Sequence, residues 1–316
     1  MSAISELSHL KVNKAKTPEE KAQRRKEASR DNKAAYLFLI PWFIGLFVIT
    51  IGPMLASLYL SFTRYSLIQA PKFIGIDNYI RIFTKDRTFY TLLFNTLFYT
   101  VEYLVLNIAL SLALALWIAT IKRGQKWFRV IFFLPTFTPV VASSIVWVLI
   151  FTPNGLLDYV FASIGVPFPN LLLEPQWAMQ AIIIVSLWAG VGYNLVLFSA
   201  ALALVPQSYL DAAQIDGANA WQRFWTIRPP LISPTIFFAA VMTVISSLQV
   251  FDAIYAITRG GPGDATMTLG FSIYQFGFVR YLMGYATALS WVMFTIIMGF
   301  TALQFYLQKK WVTYDA

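Results

Sequence analysis

The sequence predicts an all-α membrane protein with six transmembrane helices. Three observations carry this prediction. The 316-residue chain is 58% hydrophobic and only 12% charged. Its mean hydropathy is +0.62. Several apolar runs exceed the roughly 18–20 residues needed to cross a hydrocarbon core of about 30 Å, and a soluble core does not need so many runs of that length. The alternating segments of about ten residues that mark a transmembrane β-barrel are not seen.

The spans are expected at about 34–62, 92–121, 130–151, 179–204, 232–257 and 284–308. Pro41, Pro53, Pro135 and Pro139 fall inside them. Proline is tolerated there when neighbouring helices or waters satisfy the freed carbonyls, so a packed bundle is expected. Residues 1–33 read as a basic tail, with nine Lys and Arg at 11–33 supplying most of the net charge of +9. The tail is too long for a signal peptide, and the apolar run after it has no small-residue cleavage site. A basic run can bind nucleic acid. This one precedes a span, so the expected role is retention in the cytoplasm and contact with anionic lipid, with no nucleic-acid partner.

The basic residues set the orientation. The tail, 122–129, 205–231 and the C-terminus carry nine, four, two and two; the segments 63–91, 152–178 and 258–283 carry five, none and two. This excess places both termini in the cytoplasm. In 152–178, LLDYVFASIG suits a short helix at the outer interface. RGGPGD (259–264) reads as a flexible turn. Lys309, Lys310 and Trp311 read as an interfacial anchor.

Composition also excludes chemistry. There is no Cys, and the one His is His9 in the tail. Disulfides, thiolate nucleophiles and clustered metal ligands are therefore not expected. No G-x-x-x-x-G-K-[ST] phosphate loop is present, so any nucleotide energy must enter through another chain. An intramembrane enzyme has nothing to work with, and no cofactor is expected on this chain.

Between two apolar runs lies the polar segment PQSYLDAAQIDGANAWQRFWTIRPPL (206–231). Ser208 can cap a helix, with Asp211 at the third position after it. Gly217 suits a left-handed helix end. A second helix is expected from about Ala218 to Ile227, ended by Pro229 and Pro230. The result is a cytoplasmic helix–turn–helix. Its small residues, Ala212, Ala213, Gly217 and Ala218, would let another backbone approach closely. An ordinary interhelical loop, the competing reading, does not need them.

Here the chain resembles the permease subunits of binding-protein-dependent ABC importers. Their motif runs Glu-Ala-Ala, three residues, Gly, nine residues, Ile-x-Leu-Pro. This chain has Asp211-Ala212-Ala213, Gly217 and Ile227-Arg228-Pro229-Pro230 at that spacing. Asp216, Ala218 and Phe224 match the longer version found in sugar permeases. Asp replaces Glu at 211, which keeps the charge and shortens the reach. Pro replaces Leu at 229, which stiffens the exit. FIGIDNYIRIF (73–83), FRVIFFLPTFTPVVASSIVW (128–147), VFDAIYAITRGGPGDATMTL (250–269) and MGYATALSWVMF (283–294) extend the resemblance from about residue 34 onward. It is closest to the first permease of maltose- and oligosaccharide-type importers.

The resemblance implies a type I ABC importer permease fold in a bacterial or archaeal cytoplasmic membrane. It implies partners as well: a second homologous permease, two ATPase subunits that hold ATP and Mg, and an extracytoplasmic sugar-binding protein. The substrate would be a di- or oligosaccharide. Asp211, Ala212, Ala213, Asp216, Gly217, Ala218 and Phe224 would dock an ATPase subunit through the coupling loop 205–231.

Sugars are held by planar hydrogen-bonding groups and aromatic faces. In SLWAGVGYNL, Ser186, Gly190 and Tyr193 share a face by 4- and 3-residue spacing, flanked by Trp188 and Asn194. In SSLQVFDAIY, Ser247, Gln249, Asp252 and Tyr255 are candidates, and related permeases bind sugar with these two spans. The competing reading makes Trp188 and Tyr193 packing residues, with Gly190 and Gly192 allowing close helix contact. Glu102 lies inside the second span, where a charge costs about 2.5–3.5 kcal/mol on insertion scales. It is expected to line the path or to pair with the second permease. The rival class is a proton-coupled secondary transporter using Glu102 and Asp252. Six spans without inverted halves fit it poorly, and it leaves the cytoplasmic motif unexplained.

Overall fold

The computed structural model describes residues 36–219, 222 and 225–313. The basic tail and Phe224 lie outside the described residues. The chain divides into two units, 1–59 and 60–316.

The described part of the first unit belongs to one helix, α1 (Tyr36–Ser61). Its middle relaxes into a π-helical stretch, Gly45–Ile51, ending where the Gly52 N–H donates to the Phe47 carbonyl. The cause sits next door. Pro53 has no N–H to give to the regular ladder, and a wider turn absorbs the loss.

The second unit opens with a hairpin, β1 (Thr63–Ser66) and β2 (Gln69–Phe73), paired Thr63 to Phe73. The sequence reading had only helices and loop here. A single turn α2 (Asp77–Ile80) follows and continues as a π-turn, Arg81–Lys85. Buried Asn78 ties it to the hairpin by donating to the carbonyls of Ser61 (2.8 Å) and Thr63 (2.9 Å). Helix α3 (Thr88–Thr120) then runs 33 residues, about 50 Å at 1.5 Å per residue.

The expected third span at 130–151 is two pieces. Helix α4 (Gln125–Phe133) tightens into a 3₁₀ turn, Leu134–Phe137, and α5 (Val140–Phe151) begins afresh. Pro139 cannot donate, and Thr138 leaves the helix with extended backbone. A short helix α6 (Leu156–Ser163) follows, where LLDYVFASIG was expected to be helical.

The long helix α7 (Pro175–Ala203) packs along α3. Beyond the polar loop that follows α7 comes a one-turn helix, α9 (Arg228–Leu231). The helical residues Trp225 and Thr226 give way to a turn at Ile227, as expected before the two prolines. Those prolines then fall in the first turn of α9, where the helix has no intrahelical use for an N–H. Helix α8 is described with the loop below. The expected fifth span, 232–257, is also not continuous. Helix α10 (Ser233–Leu248) is 16 residues, about 24 Å. It stops at Gln249, and α11 (Asp252–Ile257) resumes after a break. Helix α12 (Leu269–Tyr274) and its π extension Gln275–Val279 lead to the final helix, α13 (Met283–Leu307).

Among the described residues, five stretches are long and apolar enough to cross a membrane: Tyr36–Ser61, Thr88–Thr120, Val140–Ser163, Pro175–Ala203 and Met283–Lys310. The third of them contains the turn at 152–155, where Asn154 takes φ 60°. The main core lies where α3, α7, α11, α12 and α13 meet. Phe89, Leu92 and Tyr99 of α3 pack there with Met179, Ile182 and Ile183 of α7, and with Ile254, Phe271, Tyr285 and Leu289.

Candidate functional site

A cavity of about 280 Å³ opens where the two broken helices meet α3 and α7. Tyr99 and Tyr103 come from α3, Ser143 from α5, Ser186 and Gly190 from α7, and Ser247, Gln249 and Asp252 from the break between α10 and α11. The two tyrosines are one helical turn apart and stack with ring centroids 5.5 Å apart and planes 6° from parallel. This is an aromatic wall facing hydroxyl, amide and carboxylate groups. Asp252 is the one charged residue on the lining, and no Lys or Arg is among the lining residues.

The break is built locally. Ser246 and Ser247 donate their hydroxyls back to the carbonyls of Thr243 (3.1 Å) and Val244 (3.0 Å). Such back-bonding bends helices. The Val250 carbonyl is taken by the Thr268 hydroxyl at 3.3 Å. The wall on the α7 side depends on Gly190. A Cβ there would collide with the Tyr103 hydroxyl.

Below the cavity a buried polar chain crosses three helices. Asn107 Nδ2 donates to the Tyr103 hydroxyl (3.2 Å). Asn194 Nδ2 reaches Asn107 Oδ1 (2.6 Å) and Thr243 Oγ1 (3.2 Å). Ser111 donates to the Val191 carbonyl (2.9 Å).

The model for the "binding-protein-dependent transport system inner membrane component" family matches residues 107–313. The chain belongs to this family. It is therefore a multi-pass membrane permease and a transport component rather than an enzyme. The probable ABC transporter permease protein YesP of Bacillus subtilis (strain 168) is 36% identical over 291 residues, 91% of this chain and 94% of that protein. The sn-glycerol-3-phosphate transport system permease protein UgpA of Agrobacterium fabrum is 33% identical, covering 88% and 96%. The trehalose/maltose transport system permease protein MalF of Thermococcus litoralis is 31% identical, covering 86% and 92%. Among solved structures, a chain of a bacterial ABC transporter involved in the import of the acidic polysaccharide alginate superposes with a TM-score of 0.81. That match covers 91% of this chain and 99% of the other at 22% identity, so it speaks for the fold.

The permease brings some of the sequence candidates together and separates others. Ser186, Gly190, Ser247, Gln249 and Asp252 line the cavity. Tyr193 does not. It is 50% exposed, three residues past Gly190 and turned off the cavity. Asn194 is a structural link rather than a cavity group, since it is 5% exposed and committed to Asn107 and Thr243. Trp188 packs edge-on against Trp147 (5.8 Å), and Tyr255 stacks on Phe251 (5.4 Å). Glu102 lies on another strip of α3, among Phe98, Val101, Val105 and Leu106, and does not meet Asp252 in the cavity.

Tyr99, Tyr103 and Ser143 were missed by sequence reasoning. A signal was present for the first two. Asn95, Tyr99, Tyr103, Asn107 and Ser111 recur every four residues along an apolar helix, a polar stripe that must face protein or water.

In the polar loop 205–231, α8 (Gln207–Ile215) begins after Pro206, so Ser208 falls inside the helix instead of capping it. Asp211 accepts from the Gln207 side chain at 3.0 Å. The helix closes on Gly217, which takes φ +81°. The Gly217 N–H donates to the Gln214 carbonyl (3.2 Å) and the Ala218 N–H to that of Ala213 (2.9 Å). This pair of bonds is the Schellman closure that glycine at this position permits. Asn219 and Gln222 then exchange backbone-to-side-chain bonds of 2.8 and 2.9 Å, a reciprocal helix start. Asp211, Ala212, Asp216 and Gly217 are exposed, while Ala213 and Ala218 are half-buried. The turn RGGPGD is not loose. Thr266 donates to the Gly261 carbonyl (2.8 Å), and Asn95 Nδ2 holds the carbonyls of Asp264 and Met267, each at 2.9 Å.

Proposed function

We propose that this chain forms half of the translocation path of an ATP-driven sugar importer, with a di- or oligosaccharide as cargo. The observation that carries the reading is the cavity. Half-buried Tyr103, backed by the buried Tyr99 stacked on it, brings an aromatic ring to the lining, and Ser186, Ser247, Gln249 and Asp252 bring hydroxyl, amide and carboxylate groups. Aromatic faces beside planar polar groups suit a pyranose ring. The names of the trehalose/maltose and lactose permeases among its relatives support the same class.

A second, similar permease would complete the path. Two ATPase subunits holding ATP and Mg would supply the energy, and an extracytoplasmic binding protein would deliver the sugar. The related alginate transporter, solved with a pentasaccharide-bound periplasmic protein, supports that last partner. Both termini would face the cytoplasm of a bacterial or archaeal cell. The exposed turn around Gly217, with Asp211, Ala212, Ala213, Asp216, Ala218 and Phe224, would dock into an ATPase groove. Glu102, off the cavity, would face the second permease. ATPase state and cavity state would then share one coupling free energy.

The test is a partner census. The tagged chain is purified gently from its native membrane, as wild type and as Gly217→Asp, and sugar uptake is followed in parallel. The expected result is an ATPase and a second permease with the wild type, and an ATPase lost or uncoupled in the variant. No Cβ clash exists at Gly217, and Asp tolerates the left-handed region better than most residues, so the variant should still fold and insert. A chain that purifies alone and transports in liposomes without an ATPase would overturn the proposal.

A further inference from the structure

We propose that the membrane boundary between α3 and α13 carries a binding site for one anionic phospholipid, with its phosphate among Arg81, Lys85 and Arg280 and an acyl chain between the two helices. Two polar cavities, about 360 and 310 Å³, adjoin where α3 and α13 begin. Arg81 and Lys85 line both, Arg64 lines the first and Arg280 the second. All four basic side chains are exposed. Arg81 lies over the Tyr285 ring (4.7 Å), and Arg280 over the Phe276 ring (4.9 Å). Those rings meet edge to face at 4.9 Å. Stacking fixes the guanidinium planes and leaves their N–H edges to point at an anion.

The carboxylates nearby do not cancel this. Asp86 is engaged at both oxygens by neutral donors, the Tyr285 hydroxyl (2.6 Å) and the Thr88 N–H (3.0 Å). Asp77 and Asp264 remain against four cations. Among the described residues, none of the four cations forms an ion pair within 4.0 Å.

What selects a lipid over a soluble anion is the wall on the other side. The segment Asp77–Lys85 presents Arg81 and Lys85 to the polar cavities, and Tyr79 and Phe83 to an apolar groove of about 750 Å³. Tyr90 closes that boundary by donating to the Phe83 carbonyl at 3.0 Å. The groove then follows Phe89, Leu93 and Leu97 down α3, and Trp291, Ile296 and Phe300 down α13. Over the nine helical rises from Trp291 to Phe300 it descends about 13 Å into hydrocarbon depth. A cationic cavity at the interface above an apolar groove matches an anionic headgroup above its chain.

The full chain, with whatever subunits accompany it, is purified in mild detergent and its retained lipid measured by native mass spectrometry. It is then re-equilibrated with phosphatidylglycerol or phosphatidylcholine nanodiscs. The expected result is one phosphatidylglycerol retained per chain over phosphatidylcholine. Arg81→Ala combined with Lys85→Ala should weaken retention about 30-fold, since each basic group near an anionic surface contributes about a fivefold factor. Leu93→Trp, which fills the groove and touches no charge, should weaken it as well. Equal retention of phosphatidylcholine, retention unchanged in either variant, or full displacement by inorganic phosphate would overturn the proposal. So would a photoreactive group at Leu93 that captures a protein segment instead of lipid. None of these readouts depends on transport, so they stand apart from the sugar-importer reading.

Discussion

Replacing Gly190 by Ala tests the cavity most directly. The added methyl would strike the Tyr103 hydroxyl and sit 3.3 Å from Asn107 Nδ2. Helix α7 cannot retreat to make room, because Gly192, two residues on, already has the Phe132 backbone against it. The tyrosine ring must therefore swing. It loses the 3.2 Å bond from Asn107, worth about 0.5–1.5 kcal/mol net. It also loses the stack on Tyr99, worth about 0.5–1.5 kcal/mol. The sum, about 1–3 kcal/mol, matches the usual cost of an overpacked methyl. If it falls on the sugar-bound state, the half-saturating concentration for uptake rises about 5- to 150-fold.

The assay is uptake by the assembled importer against sugar concentration, with Gly299→Ala as control, since a Cβ at Gly299 meets nothing. Removing the struck hydroxyl should relieve the clash, so Gly190→Ala should cost much less in a Tyr103→Phe background than alone. The coupling energy of that double-mutant cycle isolates the contact. The reasoning is refuted if Gly190→Ala behaves like Gly299→Ala, or if its cost is unchanged in the Tyr103→Phe background.

Two more predictions concern the polar stripe of α3. Asn194→Leu strands Asn107 Oδ1 and Thr243 Oγ1 in a buried site, and should lower the stability of the purified permease by about 1–3 kcal/mol; an unchanged thermal midpoint would contradict the linking role. Asn95→Ala frees the carbonyls of Asp264 and Met267, so hydrogen exchange across 259–267 should accelerate, and equal exchange would show that the turn holds itself.

The long elements were legible because periodicity and length decide them. Helices α3, α7 and α13 bury one side in a chain too apolar to be anything else. The breaks were less legible for a specific reason. Gln249-Val250-Phe251 contains neither Gly nor Pro, so it reads as helix; the interruption comes from Ser246 and Ser247 bonding backwards and from Thr268 taking a carbonyl from a distant element. A tertiary partner of that kind leaves no local mark. Spacing alone also grouped Tyr193 with Ser186 and Gly190, whereas it does not line this cavity. Residues three or four after Gly190 do share a sector of α7, but the neighbour each meets is set by where α3 and α10 cross, which periodicity does not contain. The hairpin at 63–73 was hidden by brevity, since each strand is only four or five residues.

The breaks themselves argue for the position of the path. A span that stops being helical exposes backbone groups at membrane depth, and these persist only where protein covers them or a cavity wets them. Helix α10 stops at about 24 Å, short of a hydrocarbon core of about 30 Å. The other break follows Phe137. At the first, the side chain of Thr268 covers one carbonyl; beside the second, Thr136 donates to the Ala189 carbonyl of α7 at 2.9 Å. Val140 and Ser143, just past one break, and Gln249 to Ala253, in and just past the other, line the same cavity. Two interruptions that converge on one cavity walled by the uninterrupted helices α3 and α7 are not explained by packing alone, because two continuous spans would bury more apolar surface and leave no backbone to satisfy. They are explained if the site must offer polar groups to a polar cargo halfway through the bilayer.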